Sequence, residues 1–241
     1  INMSGFNFGQ TAKPVSTQSY LKAWSVYDNV EFDGISDPTT GKTSDGKDWK
    51  MWKFAFKCPD GIYEESVFEP NEAATKRNEY SGNDGKITVY PSNIESFNCF
   101  IQHVVSVFMN DSNKAKFTKL AEEGKFNNIE FDKFIEVLKK LLANPKKPSK
   151  DYPIMIKLQG RTTADGKVYA RLPKARLGKD GNPWMERFIG PNLSLSDYEK
   201  KQAANTTASK PTNMEAVDKP TNDDLSNDDL DSLVDDLDNN L

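Results

Sequence analysis

The sequence predicts a mainly β domain of the α+β class, with a group of helices inserted between its third and fourth strands. Apolar and polar side chains alternate in residues 21–35, 49–57 and 152–160, which is typical of half-buried strands. Between residues 93 and 142 the apolar side chains instead recur every three or four positions, as on one face of a helix. Together these patterns predict strands, then helices, then strands.

The first predicted strand lies within residues 21–35. The side chains that share its apolar parity are Trp24, Val26, Val30 and Phe32. Residues 36–48 contain Pro38 and several glycines, so we expect them to form a loop.

The strongest strand signal is the segment from Trp49 to Lys57. Its apolar face carries Trp52, Phe54 and Phe56. Its other face carries Trp49, Met51, Lys53, Ala55 and Lys57. That second face is either a solvated sheet surface or a binding surface that combines a ring with two cations. A turn at 59–61 then returns the chain as a third strand over 62–70, followed by a polar connection over 71–91.

Three helices are predicted within an insert that spans residues 92–144. They cover Asn93–Met109, with Ser92 as the N-cap, Lys114–Glu123 and Glu130–Leu142. Strands resume with Ile154, Ile156 and Leu158 facing inward, and Asp165-Gly166 and Asp180-Gly181 mark two turns. This order is that of an OB-fold, a five-stranded antiparallel barrel, although the periodicity equally allows an open α+β sheet.

The charge divides the chain into a body and a tail. Nine aspartates and one lysine give residues 218–241 a charge of −8, and since the whole chain carries −4, residues 1–217 carry +4. We expect a flexible N-terminal arm over 1–19, one domain over 20–198, a flexible linker over 199–217 and an acidic, disordered tail over 218–241.

Leucines recur inside the acidic tail. Leu230, Leu233, Leu237 and Leu241 follow a helical spacing, and the acidic pairs Asp228-Asp229 and Asp235-Asp236 lie among them. Two interpretations remain open: a solvated, disordered end, or a short partner-binding helix whose charge also competes with a polyanion for the basic body.

Catalytic, metal-binding and membrane-spanning signals are weak. The only histidine is His103, so a nucleophilic triad has little support, and GKT at 41–43 lacks the earlier glycine of a phosphate loop. Cys58, Cys99 and His103 could provide three zinc ligands, whereas structural zinc sites usually have four. The other interpretation is that these three side chains pack in the core. Because the chain has two cysteines and no apolar run of about 18 residues, we expect a reducing compartment and no membrane contact. Because the catalytic and metal-binding signals are weak, we also expect no metal, no cofactor and no enzymatic activity.

Aromatic side chains interleaved with lysine and arginine are what a single-strand nucleic-acid binder needs, because rings stack on bases and cations follow the phosphates. The candidate DNA-binding residues are Trp49, Lys53, Lys57, Arg161, Tyr169, Arg171, Lys174, Arg176, Trp184 and Arg187. Each of them is equally consistent with an ordinary surface or core position.

Three stretches carry a family resemblance: LKAWSVYDNVEFDGI (21–35), WKMWKFAFKCPDGIYEESVFEP (49–70), and DGNPWMERFIG (180–190) continued by SDYEKK (196–201). They resemble single-stranded DNA-binding proteins of large tailed, crAss-like bacteriophages of gut bacteria. The resemblance implies an OB-fold and cooperative self-association on DNA. It further implies that the protein coats intermediates of DNA replication, recombination and repair in the cytoplasm of the infected host. It also implies that the tail recruits replication proteins of the polymerase, helicase or primase class. The alternatives are a phage structural or scaffold protein with a partner-binding tail, and a single-stranded RNA-binding OB protein.

Overall fold

The computed structural model describes residues 19–81, 86–127 and 129–208. Within these residues the chain forms twelve strands, four α-helices and one 3₁₀ turn at Glu72–Thr75. The strands are β1 Ser25–Tyr27, β2 Glu31–Ile35, β3 Thr39–Lys42, β4 Asp48–Cys58, β5 Gly61–Phe68, β6 Asn78–Ser81, β7 Ile87–Tyr90, β8 Met155–Thr162, β9 Val168–Arg171, β10 Ala175–Leu177, β11 Pro183–Met185 and β12 Ile189–Gly190. The helices are α1 Asn93–Phe108, α2 Asp111–Glu122, α3 Phe131–Leu141 and α4 Asp197–Ala208.

The first sheet is built around β4, which pairs with β5 along one edge and with β2 and then β3 along the other, always antiparallel. The predicted apolar face of β4 is confirmed, because Trp52, Phe54 and Phe56 are all buried. Two predictions for this region are wrong. Residues 36–48 are not all loop, since β3 completes the edge of the long β4, and Met51, predicted to face outward, is buried.

The second sheet is built around β8, whose neighbours are β1, β9 and β12. Ile154, Ile156 and Leu158 are fully buried, as their spacing predicted. The predicted first strand is divided in two at Asn29, which has a φ of 55°, and Val30 N donates to Ile154 O at 3.0 Å just beyond the break. The chain thereby passes from an edge of β8 to an edge of β4 and joins the two sheets.

All three predicted helices are present, but they lie between β7 and β8 and not between a third and a fourth strand, because β3, β6 and β7 were not predicted and the first predicted strand is two strands. Ser92 caps α1 in a capping box: its hydroxyl accepts from Glu95 N at 3.2 Å, and the Glu95 carboxylate accepts from Ser92 N at 2.9 Å. Helix α1 covers the sheets with aromatic side chains, and the ring centroids of Phe100 and Phe54 lie 5.1 Å apart.

The predicted polar connection over 71–91 is wrong in its second half, where β6 and β7 form an antiparallel hairpin. A tertiary contact that the sequence pattern does not reveal holds its base. Arg77 Nη2 donates to Glu95 Oε1 at 2.6 Å and to Gly181 O at 3.1 Å. The hairpin is therefore fixed to α1 and to the loop between β10 and β11.

The predicted flexible linker over 199–217 is wrong in its first part, which belongs to α4. Ser196 and Glu199 form a second reciprocal cap, with Ser196 N donating to Glu199 Oε2 at 2.7 Å. The Glu199 carboxylate is buried, and it accepts from Lys157 Nζ at 3.3 Å and from Gln159 Nε2 at 2.9 Å. These contacts with β8 stabilise a helix that has no apolar periodicity. Residues 209–217 and the tail over 218–241 lie outside the described residues, as do residues 1–18 of the predicted arm.

The architecture is mixed α/β with several antiparallel sheets, and the described residues do not form the closed five-stranded barrel that the sequence predicted. No strand pair among them joins β5 to β9. A side chain bridges this gap instead: Leu172 N donates to the Tyr63 hydroxyl at 3.2 Å, and that hydroxyl donates to the Glu65 carboxylate.

Candidate nucleic-acid interface

The hairpin of β8 and β9 places polar and cationic side chains on one face. Gln159 lies opposite Arg171, and Arg161 lies opposite Tyr169. Because these positions are two apart along each strand, all four side chains project from the same side of the hairpin. Tyr169 is about half exposed, with 48% of the surface of the residue accessible.

The hairpin of β10 and β11 adds a second pair made of an arginine and an aromatic ring. Arg176 lies directly opposite Trp184, and the Trp184 side chain is as exposed as Tyr169. The connecting loop is closed by backbone hydrogen bonds, with Gly178 N donating to Asn182 O at 2.8 Å. Four of the predicted DNA-binding residues thus form two matched pairs, each of an arginine and an exposed aromatic ring.

A groove of ≈ 380 Å³ runs between these strands and the β6–β7 hairpin. Its lining residues are Thr88, Val89, Tyr90, Gln159, Arg171, Lys174, Arg176 and Leu177. Three predicted cations therefore line one wall, and β7 provides the other. We call this feature the basic groove.

The electrostatics of the basic groove favour an anionic ligand. Burial lowers the pKa of Arg171, and the positive charge of Arg161 lowers it further. Its Nε is buried and has no hydrogen-bond partner among the described residues. Within the same residues neither Arg171 nor Arg176 has a carboxylate at salt-bridge distance. Two arginines that lack a carboxylate at salt-bridge distance and belong to one groove favour an anionic ligand such as a phosphate group.

Trp49, Lys53 and Lys57 lie on the first sheet and are engaged in structural contacts. The Trp49 indole covers Gly41, where an added Cβ would lie 2.3 Å from the ring, and its edge meets Phe68 with the ring centroids 6.0 Å apart. Lys53 Nζ lies 3.2 Å from Glu64 Oε2, and Lys57 Nζ lies 2.5 Å from Asp33 Oδ1. The Trp49 ring is used in packing and the charges of the two lysines are balanced within the fold, so we leave these three residues out of the interface.

Arg187 also serves the fold. Its Nε donates to Ile189 O at 3.3 Å, and its guanidinium lies where a Cβ on Gly190 would stand. His103 is nearby, with Nε2 3.3 Å from Met185 O, and burial is the main cause that lowers its pKa. No group of three His, Cys, Asp or Glu side chains suited to a metal ion exists in the described part of the chain, so Cys58, Cys99 and His103 do not converge there.

Sequence reasoning missed the β6–β7 wall of the groove. Tyr80, Ile87, Val89 and Tyr90 are all exposed on this hairpin. A signal for it was present, because Asn83-Asp84-Gly85 is a turn sequence and ITVY at 87–90 is rich in β-branched and aromatic residues.

The chain matches no protein-family model, no curated protein and no solved structure in the three comparisons made. Among the helices in the described ranges, none combines the length and apolar character required to cross a membrane. The tail residues proposed to bind a partner, from Asp228 to Leu241, lie outside those ranges. The basic groove and the charge of the sequence are therefore the two features that bear on function.

Proposed function

We propose that this protein binds single-stranded DNA without strong sequence preference, through the basic groove. The observation that carries the proposal is the grouping of Arg171, Lys174 and Arg176 on one wall, with the exposed rings of Tyr169 and Trp184 on the adjoining strands. Stacking on aromatic rings tolerates every base, while cations contact a backbone that is the same in every sequence.

The fold is compatible with this function as an opened OB-type barrel. Strands β1 and β2 join the two sheets on one side by pairing with β8 and β4, and the Tyr63–Leu172 hydrogen bond links them on the other. We infer that these strands correspond to the partly open barrel of the OB-fold, in which nucleic-acid ligands lie across the sheet and its loops.

A role without catalysis fits the lining of the groove. The described residues that line it provide cations, an amide, hydroxyls and apolar groups, but neither a carboxylate nor an imidazole. We therefore propose a non-enzymatic protein that needs no cofactor and coats intermediates of replication, recombination and repair in the cytoplasm of a phage-infected bacterium.

The acidic tail has two proposed roles, one that depends on its charge and one that depends on its leucines. A charge of −8 at residues 218–241 competes with DNA for the basic groove at the high effective concentration of a tethered segment. Leu230, Leu233, Leu237 and Leu241 are spaced to fill an apolar groove on a replication protein of the polymerase, helicase or primase class.

The deciding experiment is a fluorescence titration of the full-length protein with labelled oligo-dT at two salt concentrations. We expect binding at low salt that weakens as salt rises, because cations that contact phosphates release counterions. A parallel titration with oligo-rU distinguishes DNA from RNA preference. Absence of binding to both oligomers at low salt would leave the structural or scaffold role as the better proposal.

A further inference from the structure

We propose that the β6–β7 hairpin is the second wall of the nucleic-acid site and holds a base between Tyr80 and Tyr90. This inference rests on the proposed function, and it identifies residues and a mode of binding that the basic wall alone does not provide. The wall formed by Arg171, Lys174 and Arg176 contributes positive charge, while the hairpin contributes aromatic rings.

The first observation is the exposure of apolar side chains on the hairpin. Half of the large hydrophobic residues that are exposed in the described structure lie on these two short strands, with accessible fractions of 57% for Tyr80, 59% for Ile87, 38% for Val89 and 40% for Tyr90. The register places Tyr80 and Tyr90 on one face of the hairpin and Ile87 and Val89 on the other, so each face presents two exposed apolar side chains. Exposed apolar side chains grouped on a face typically mark a surface that another molecule covers.

The second observation is the register of the hairpin. Asn78 pairs with Tyr90 and Tyr80 pairs with Thr88, so the two tyrosines lie on the same face as diagonal neighbours. Diagonal side chains in an antiparallel pair are separated by roughly 7–8 Å. A base held between two rings needs about twice the optimal contact distance between carbon atoms, which is roughly 3.5–4.0 Å, so the separation of these two positions is of the size that a flat base requires.

The third observation is that the hairpin is held in place relative to the basic wall. Arg77, immediately before β6, donates from Nε and Nη2 to the Glu95 carboxylate, with distances between 2.6 and 3.1 Å, and from Nη2 to Gly181 O. Gly181 lies in the loop that joins β10, which carries Arg176, to β11, which carries Trp184. Arg77 therefore links the aromatic wall to the loop between the two strands that carry Arg176 and Trp184.

Charge favours a nucleic-acid strand over a second copy of the chain as the occupant. The hairpin borders Arg171, Lys174 and Arg176 across the groove. A symmetric contact between two copies through this surface would bring two such cationic walls together, which costs free energy. A single strand instead places phosphates at the cations and bases at the tyrosines.

The test compares Tyr80→Ala and Tyr90→Ala with the ring-preserving Tyr80→Phe and Tyr90→Phe, using oligo-dT and an abasic oligonucleotide of equal length. We expect each alanine variant to weaken oligo-dT binding by about 5- to 150-fold, the range for one stacked base, and each phenylalanine variant to bind nearly as tightly as the wild type. Binding of the abasic strand should not change. Glu79→Ala, on the opposite face of β6, is the matched control.

Three outcomes distinguish the possibilities. Alanine variants that bind oligo-dT within twofold of the wild type, while Trp184→Ala is weakened, would overturn the hairpin proposal and leave the proposed function intact. Wild-type protein that does not bind oligo-dT at low salt would overturn the proposed function itself. Alanine variants that change the oligomeric state in light scattering, with unchanged DNA affinity, would reassign the hairpin to self-association. Thermal unfolding of each variant checks that the fold persists.

Discussion

The hydroxyl of Tyr63 accepts a hydrogen bond from Leu172 N at 3.2 Å, although the two residues are 109 positions apart in the chain. The same hydroxyl donates to the carboxylate of Glu65. Strand β5 and the end of β9 are thereby connected at the point where strand pairing between the two sheets is absent from the described residues. The connection lies immediately beside Arg171, at the edge of the basic groove.

Tyr63→Phe should destabilise the fold, because it removes the acceptor for the buried Leu172 N–H and leaves that donor unpaired. We expect the free energy of unfolding to fall by about 1–3 kcal/mol in chemical denaturation. Tyr27→Phe, which removes a hydroxyl in exposed hydrogen bonds with Lys22, is the control and should change stability less. Equal losses in the two variants would contradict a special role for the Tyr63 connection.

Glu65 should make stability depend on pH near neutrality. Burial raises the pKa of Glu65 from 4.5 to about 7, and the hydrogen bond from Tyr63 opposes part of that rise. The folded state therefore favours the protonated form. The contribution of protonated Glu65 to the stability of the fold is fully present below pH 4.5 and is lost as the pH rises through about 7.

The measurement is the difference in free energy of unfolding between Glu65→Gln and the wild type. Glutamine stays neutral, so this difference should grow in favour of the variant as the pH rises from 4.5 to above 7, by on the order of 1–3 kcal/mol. A difference that stays constant over this range would show that Glu65 titrates normally.

Trp184→Ala and Tyr169→Ala should each weaken oligo-dT binding, because both rings are exposed beside the cations of the basic groove. We expect a loss of about 1–3 kcal/mol for each ring in a fluorescence titration. Trp49→Phe is the matched aromatic control: it keeps a ring over Gly41 on the other sheet, so DNA affinity should be unchanged. A loss of affinity only in Trp49→Phe would move the site to the first sheet.

Arg176→Gln should reduce the salt dependence of binding. Removing one cation that contacts a phosphate lowers the slope of log affinity against log salt by about 0.7 for a single strand. Lys53→Gln removes a cation that is paired with Glu64 at 3.2 Å, so the slope should stay the same. Equal slopes for wild type and Arg176→Gln would exclude Arg176 from the phosphate contacts.

Truncation after Asn213 should tighten binding to oligo-dT at low salt, and the gain should shrink as salt rises, because the tail and the DNA are competing polyanions. Changing Asp228, Asp229, Asp235 and Asp236 to Asn should reproduce part of this gain. Changing the four tail leucines to Ser should instead leave DNA affinity nearly unchanged and abolish capture of a replication protein. If the truncated chain binds no more tightly at low salt, the tail does not compete for the groove.

The sequence predicted those features that depend on local periodicity. The apolar alternation in β4 and β8 predicted their buried faces, and the helical spacing predicted α1 to α3 with Ser92 as the cap. These predictions held because the inward face of a strand or helix is encoded within a few neighbouring residues. The division of charge between body and tail likewise follows from the number of charged residues in each segment of the sequence.

Only the tertiary structure decided which charges are balanced and which short elements form. The sequence treated Lys53, Lys57, Arg171 and Arg176 alike, but the strand register places carboxylates beside the two lysines and none at salt-bridge distance from the two arginines within the described residues. Helix α4 forms because Glu199 meets Lys157 and Gln159 on a strand about forty residues away. The β6–β7 hairpin is held by Arg77 through Glu95 and Gly181, a contact that spans 104 positions and that no local pattern encodes.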